Sequence, residues 1–90
     1  MRILITKQAR KQLDECPDRI HRKFDYWTDM LQTIGLRVSR KYKGFHDEPL
    51  HGRRQGQRSV RLSKAYRVIY REIGDTYEVI EVLEVNKHDY

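Results

Sequence analysis

The stretch of sequence that decides the fold is RSVRLSKAYRVIY, residues 58–70. Apolar residues recur at alternate positions on both sides of a polar turn around Lys64, and a period of two is typical of a half-buried β-strand. The pattern therefore predicts two antiparallel strands, 59–63 and 66–73, joined by a tight turn.

The same alternation places basic side chains on one face of these strands. Val60 and Leu62 share the apolar face of the first strand and leave Arg61 opposite. The second strand likewise leaves Arg67 and Arg71 opposite its apolar face. Because like charges on neighbouring strands repel, this face is suited to hold an anion between the arginines. The alternative is that these side chains simply fan out into solvent.

Two helices precede these strands. Thr6 can cap the first helix, which ends at Pro17. The second helix carries apolar residues every three or four positions, and Gly35 provides a C-cap. Its predicted apolar face consists of Ile20, Phe24, Trp27, Leu31 and Ile34. Because almost no chain lies between the helices, we expect an antiparallel hairpin.

Two further strands complete the predicted sheet. The apolar run 1–5 predicts a strand at the N-terminus, and segment 76–85 predicts a strand with apolar residues on both faces, which indicates a central position. The two faces carry Val79, Leu83 and Val85 on one side and Ile80 and Val82 on the other.

The connection 36–57 is predicted to form a short helical turn and an irregular loop, because glycine and proline are spaced along it among charged residues. We therefore predict a single α+β domain over residues 1–90. An N-terminal strand precedes a two-helix antiparallel hairpin, which packs on a four-stranded antiparallel sheet.

Composition excludes several classes of protein. The chain has 90 residues, of which 36% are charged, and no run of 18 apolar residues. It therefore predicts no membrane span or secretory signal, and we expect a cytoplasmic protein without a membrane partner. The lone Cys16 cannot form an intramolecular disulfide, and the histidines lack zinc-finger spacing, so no structural metal is expected.

The basic charge is concentrated in one segment. The whole chain has a net charge of +6, whereas residues 37–71 contain eleven basic residues and only Asp47 and Glu48 as acids, a balance of +9. A localised excess of this kind favours a polyanion as partner. A solvated basic surface without a dedicated ligand is the alternative.

Ionisable residues in and after this segment are candidates for acid–base chemistry. Glu48 precedes Pro49 inside the basic segment, where a carboxylate can accept a proton from a ribose 2′-OH; an ion pair with a neighbouring arginine is the alternative. His88 follows the last predicted strand and can serve as an acid. His46 and His51 bracket Glu48, but a metal site would need a third ligand in register, so no metal site is predicted.

Three segments resemble one family, the RelE/ParE superfamily of toxins from type II toxin–antitoxin modules. They are EPLHG at 48–52, RSVRLSKAYRVIY at 58–70 and VNKHDY at 85–90. The resemblance covers nearly the whole chain and is to the ribonuclease branch of RelE-, YoeB- and HigB-like mRNA interferases. It implies a RelE-like microbial ribonuclease-type fold, cleavage of mRNA in the ribosomal A site, no metal or other cofactor, and inhibition by a cognate antitoxin protein.

The resemblance also implies roles for single residues. Arg67 matches the phosphate-stabilising arginine of the family, and Arg61 lies where other members place a basic residue. Glu48 matches the base of YoeB-like members. His88 stands at the C-terminal position that is an acid or a cation in relatives, and Tyr90 resembles their terminal tyrosine.

Other assignments remain open at this level. Because catalytic residues vary between branches, His51 or Asp89 can replace Glu48 or His88 in role. The residues expected to contact RNA outside the catalytic set are Arg53, Arg54, Arg58, Lys64, Lys87 and Tyr90. ParE-like members keep the fold but inhibit DNA gyrase, so a non-nuclease gyrase inhibitor is the main alternative, and a plain RNA-binding module is the third.

Overall fold

A computed structural model describes residues 1–87 of the chain, and His88, Asp89 and Tyr90 lie outside the described residues. The elements are β1 (Arg2–Ile5), α1 (Lys7–Asp14), α2 (Asp18–Ser39), β2 (Glu48–Pro49), β3 (Gln57–Arg61), β4 (Tyr66–Glu72) and β5 (Val79–Lys87). Short 3₁₀ turns at Lys43–Phe45 and Gly52–Arg54 flank β2. The predicted α+β class, with two helices before the main strands, is confirmed.

The sheet has five strands in the order β1-β5-β4-β3-β2, so β5 is an interior strand between β1 and β4, which agrees with its apolar residues on both faces. It differs from the predicted four-stranded antiparallel sheet in two details. The edge strand β1 pairs with β5 in parallel, which is possible because the helices provide the long connection that parallel strands need. The second edge strand, β2, lies in the segment predicted as irregular, and it pairs antiparallel with β3.

Local sequence signals explain where the helices begin and bend. The Ala9 backbone N–H donates to the Thr6 hydroxyl over 3.0 Å, which caps α1 as predicted. Pro17 precedes α2 directly. Gly35 has φ +81° and ψ 165°, a non-helical conformation that favours glycine, so α2 kinks there and one more turn follows to Ser39. Gly35 therefore ends the regular part of the helix as predicted, and one helical turn follows it.

The hydrophobic core lies between the helices and one face of the sheet. The rings of Trp27 and Tyr70 are 5.5 Å apart, and both side chains are almost fully buried, so Trp27 belongs to the core as expected. The extra turn of α2 buries Leu36 and leaves Ile34 41% exposed, which corrects the predicted apolar face at its last position. Although α2 has 22 residues, no helix among residues 1–87 is long and apolar enough to cross a membrane.

An extra residue in β5 changes which side chains share a face. Ile69 pairs with Glu84 whereas its neighbour Tyr70 pairs with Val82, so Leu83 forms a bulge. Val85 therefore joins Ile80 and Val82 on the buried face, and its predicted placement with Val79 and Leu83 is wrong. The face of the sheet away from the helices is called the open face below.

Candidate active site

The register of the strands brings the predicted catalytic residues to the open face. Arg61 of β3 lies directly opposite Arg67 of β4, and Ser59 lies opposite Ile69. Glu48 of β2 in turn lies opposite Ser59. Because directly opposed residues share a face, Glu48, Arg61 and Arg67 point to the same side of the sheet, away from the helices.

A cleft of about 70 Å³ lies at this place and is called the basic cleft below. Its lining combines the predicted Glu48, Arg61, Arg67 and Lys64 with His46, Leu50, Ser59, Ser63 and Tyr66. Three of the four predicted catalytic residues therefore line one cleft, although they come from three different strands. The fourth, His88, lies outside the described residues, as do Asp89 and Tyr90.

The two arginines of the basic cleft make no ion pair with a carboxylate among residues 1–87. Arg67 is half-buried, and its Nε is shielded from solvent without a hydrogen-bond partner in that part of the chain. A buried donor without an acceptor is unfavourable, and so are like charges directly opposed on paired strands. Both costs fall when an anion binds between the guanidinium groups.

The carboxylate of the basic cleft is also available. Glu48 is exposed and makes no ion pair among the described residues, so the alternative that it pairs with a neighbouring arginine is not what the structure shows. That pairing belongs to the preceding residue: Arg58 Nε donates to Asp47 Oδ1 over 2.6 Å. Asp47 and Glu48 thus have different surroundings although they are adjacent.

Asp47 lies at the centre of a buried polar network on the helix side of the sheet. Its side chain is 2% exposed, and its Oδ2 accepts a hydrogen bond from the Tyr70 hydroxyl over 2.6 Å. Burial, together with the negative charge of Asp47 and the hydrogen bond to it, raises the pKa of Tyr70 well above its ordinary value. Arg40 donates to both Tyr70 and Glu72, which connects the end of α2 to this network.

Part of the basic excess of residues 37–71 is neutralised locally. Four of its arginines pair with carboxylates: Arg40 with Glu72, Arg54 with Glu84, Arg58 with Asp47, and Arg71 with Glu81. Arg58, predicted to contact RNA, lies opposite Tyr70 on the helix side, away from the basic cleft. The excess is therefore divided between two faces of the sheet rather than presented as one surface.

The other predicted RNA contacts within residues 1–87 have different surroundings. Arg54 forms its 2.6 Å ion pair with Glu84, whose partner across the sheet is the buried Ile69. Arg53 and Lys87 are exposed outside the lining of the basic cleft. Among the predicted RNA contacts within residues 1–87, Lys64 alone lines the cleft itself.

Sequence reasoning missed His46 as part of this site. It follows the buried Phe45, has φ +45°, and lines the basic cleft with Glu48. Its proximity to Glu48 in the sequence was the only available signal, because the left-handed turn that aims it cannot be read from the residue types. His51 does not line the cleft, and no group of three His, Cys, Asp or Glu side chains suited to a metal ion occurs within residues 1–87.

A matching family model identifies the chain. The family described as "ParE toxin of type II toxin-antitoxin system, parDE" matches residues 3–89, nearly the whole sequence. The chain belongs to this ParE toxin family. The resemblance to the RelE/ParE superfamily, drawn from the segments 48–52, 58–70 and 85–90, is thereby confirmed.

Solved structures of toxins share the fold of this ParE-family chain. RelE in the archaeal RelE–RelB complex from Pyrococcus horikoshii is 28% identical, with a TM-score of 0.72 over 96% of this chain and 92% of that one. A chain of the RelBE2 toxin–antitoxin complex from Mycobacterium tuberculosis is 25% identical, with a TM-score of 0.63 over 97% and 96%. YafQ from E. coli shares the fold at 17% identity, with a TM-score of 0.75 over 98% and 94%. No curated protein matches the chain.

Proposed function

We propose that this type II toxin is an endoribonuclease that cleaves mRNA at the basic cleft without a metal ion. The observation that carries the proposal is the meeting of Glu48, Arg61 and Arg67 in that cleft, with the carboxylate and both guanidinium groups free of ion pairs among residues 1–87. A general base beside two cations is what attack by a ribose 2′-OH on the adjacent phosphate requires.

The proposed reaction is a transesterification. Glu48 removes the 2′-OH proton, the 2′-oxygen attacks the adjacent phosphorus, and the bond from phosphorus to the 5′-oxygen breaks. Arg61 and Arg67 stabilise the additional negative charge on the phosphate oxygens. The products are a 2′,3′-cyclic phosphate and a 5′-hydroxyl.

The leaving 5′-oxygen needs a proton donor. The resemblance assigns this role to His88, which lies outside the described residues. His46 lines the basic cleft and supplies an imidazole, the commonest group in protein acid–base catalysis. Comparing His46→Ala with His88→Ala in the cleavage assay will assign the donor.

The proposed partners are mRNA on the ribosome and a cognate antitoxin. The family description and the RelE–RelB and RelBE2 complexes support an antitoxin. A cleft that holds an anion between unpaired arginines is also a natural target for acidic side chains of an inhibitor.

Inhibition of DNA gyrase is the second candidate function, because the matching family model is that of the ParE toxins. The fold alone does not separate the two activities. Gyrase inhibition does not require a carboxylate beside free arginines, whereas RNA cleavage does, so the nuclease is the better supported proposal.

The deciding experiment measures mRNA cleavage by purified toxin, with and without translating ribosomes, and gyrase supercoiling in parallel. We expect cleavage that depends on ribosomes, products with 2′,3′-cyclic phosphate ends, and no effect on supercoiling. Inhibited supercoiling with intact RNA would replace the proposal by the gyrase function. RNA binding without either activity would leave a plain RNA-binding module.

A further inference from the structure

The strand that presents Glu48 has few contacts of its own. β2 consists of two residues at the edge of the sheet, both exposed, and Pro49 has no N–H to donate. His46, two residues earlier, has φ +45°, a conformation that non-glycine residues rarely adopt. A short edge strand after such a turn does not fix the position of a side chain by itself.

The buried network of Asp47 provides what β2 lacks. Asp47 is adjacent to Glu48 and is held by hydrogen bonds of 2.6 Å from Arg58 on β3 and from Tyr70 on β4. Arg58 directly precedes Ser59, the residue opposite Glu48. The network therefore ties the backbone of the proposed base to the two strands that carry the arginines of the basic cleft.

We propose that Asp47 is a positioning residue for Glu48, anchored by Arg58 and Tyr70. This inference rests on the proposed ribonuclease function and deepens it. Asp47 touches neither RNA nor the reacting atoms, since its carboxylate is buried on the helix side of the sheet. It acts by holding Glu48 within reach of the 2′-OH, while the arginines bind the phosphate independently of it.

A double-mutant cycle separates positioning from a merely structural role. We compare Asp47→Ala, Glu48→Gln and the double variant in single-turnover RNA cleavage, well below the unfolding temperature of each. Misplacing a catalytic group by about 1 Å costs roughly 100-fold in rate, so we expect Asp47→Ala to lose about 10–100-fold. RNA affinity should stay within about twofold, because Arg61 and Arg67 are retained.

The decisive comparison is made in the Glu48→Gln background. If Asp47 acts through Glu48, adding Asp47→Ala there costs no further rate, since no base remains to be positioned. Asp47→Asn keeps one oxygen acceptor and should recover part of the wild-type rate. Ile20→Val, a matched core change in α2, should leave the rate unchanged in both backgrounds.

The same cycle with Tyr70→Phe, which removes one hydrogen bond but keeps the ring, covers the case in which Asp47→Ala does not fold. An equal loss of rate with and without Glu48, or no loss at all, overturns the positioning role. These outcomes differ from failure of the proposed function, in which the wild-type protein itself does not cleave RNA and Glu48→Gln changes nothing.

Discussion

Two adjacent carboxylates, Asp47 and Glu48, lie in opposite environments. The Asp47 side chain is 2% exposed and accepts hydrogen bonds from Arg58 and Tyr70 on the helix side of the sheet. Glu48 is exposed on the open face and lines the basic cleft. Because successive residues point to opposite faces of a sheet, one step along the chain separates a carboxylate that stabilises the fold from one that is available for chemistry.

The arginines of β3 divide in the same way. Arg58 pairs with Asp47 on the helix side, whereas Arg61, three residues later, lies on the open face opposite Arg67. The ion pair with Asp47 neutralises the guanidinium of Arg58. The guanidinium groups of Arg61 and Arg67 repel each other, and a bound anion would relieve that repulsion. Charge density in the sequence is therefore a poor guide to where an anion binds.

Glu48→Gln gives the largest expected effect. Loss of a general base typically costs 10²–10⁴-fold, so RNA cleavage should fall by about that factor, while thermal unfolding should change little because the side chain is exposed. Glu78→Gln, at another exposed position, is the matched control. Cleavage at the wild-type rate by Glu48→Gln would remove this residue from the mechanism.

Arg67→Ala gives the second largest expected loss of cleavage rate. Loss of one preorganised donor to developing negative charge typically costs about 10²–10³-fold in rate. Arg67→Lys keeps the charge but loses the planar fork, so it should recover only part of the activity. The free energy of unfolding should not fall, because the substitution also removes repulsion with Arg61.

Arg71→Ala is the control for that prediction. Arg71 lies on the same strand and the same face as Arg67, but it pairs with Glu81 and does not line the basic cleft. Equal loss of cleavage in both variants would show that overall positive charge, rather than the donor at Arg67, is what matters. Unfolding of Arg67→Ala would show a structural role instead.

Asp47→Ala should lower the stability of the fold, in contrast to substitution of Glu48. Removing a buried carboxylate leaves Arg58 and Tyr70 without their acceptor, and we expect the free energy of unfolding to fall by about 2–3 kcal/mol. The same substitution at the exposed Glu48 should change it by less than about 0.5 kcal/mol. Chemical denaturation of the two variants measures the difference, and equal stabilities would contradict the contrast between the carboxylates.

The salt dependence of RNA binding tests how many basic side chains are available to bind phosphate. The basic cleft contains Arg61, Lys64 and Arg67, so binding of a short single-stranded RNA should neutralise about three phosphates. The expected log–log slope is about −2, or roughly a fifteenfold loss of affinity between 50 and 200 mM salt. A slope several times steeper would mean that basic residues outside the cleft also bind RNA.

The alternation in residues 58–70 was sufficient to predict the two strands and the face that carries Arg61 and Arg67. It was sufficient because burial of one face fixes the register, and a slip by one residue would expose Val60 and Val68. Glu48 was identified by its place as a carboxylate inside the basic segment and by the resemblance, because its two-residue strand has too little sequence to produce a periodic signal.

The errors arose where tertiary packing decides between local options. The parallel pairing of β1 and the bulge at Leu83 depend on contacts distant in sequence. Local residue types also do not show whether Asp47 or Glu48 takes the arginine partner, since both stand near the same basic residues. The buried network around Tyr70 settles that choice, and it was not visible in the sequence.

Tyr70→Phe gives the smallest expected effect and tests the buried hydrogen bond to Asp47. At neutral pH it removes one hydrogen bond to Asp47 but keeps the packing against Trp27, so the free energy of unfolding should fall by about 1 kcal/mol. The pKa of Tyr70 is raised in the folded protein. Below the unfolded pKa of about 10, the phenol is protonated in the folded and the unfolded protein, and the contribution of Tyr70 to stability is fully present.

Above that pH the unfolded chain loses the proton while the folded protein keeps it, so wild-type stability should decline as pH rises toward the folded pKa. Denaturation of wild type and Tyr70→Phe from pH 8 to 11, with the exposed Tyr42→Phe as control, should give a flatter alkaline decline for Tyr70→Phe alone. Parallel curves for wild type and Tyr70→Phe would mean that Asp47 does not hold a protonated Tyr70.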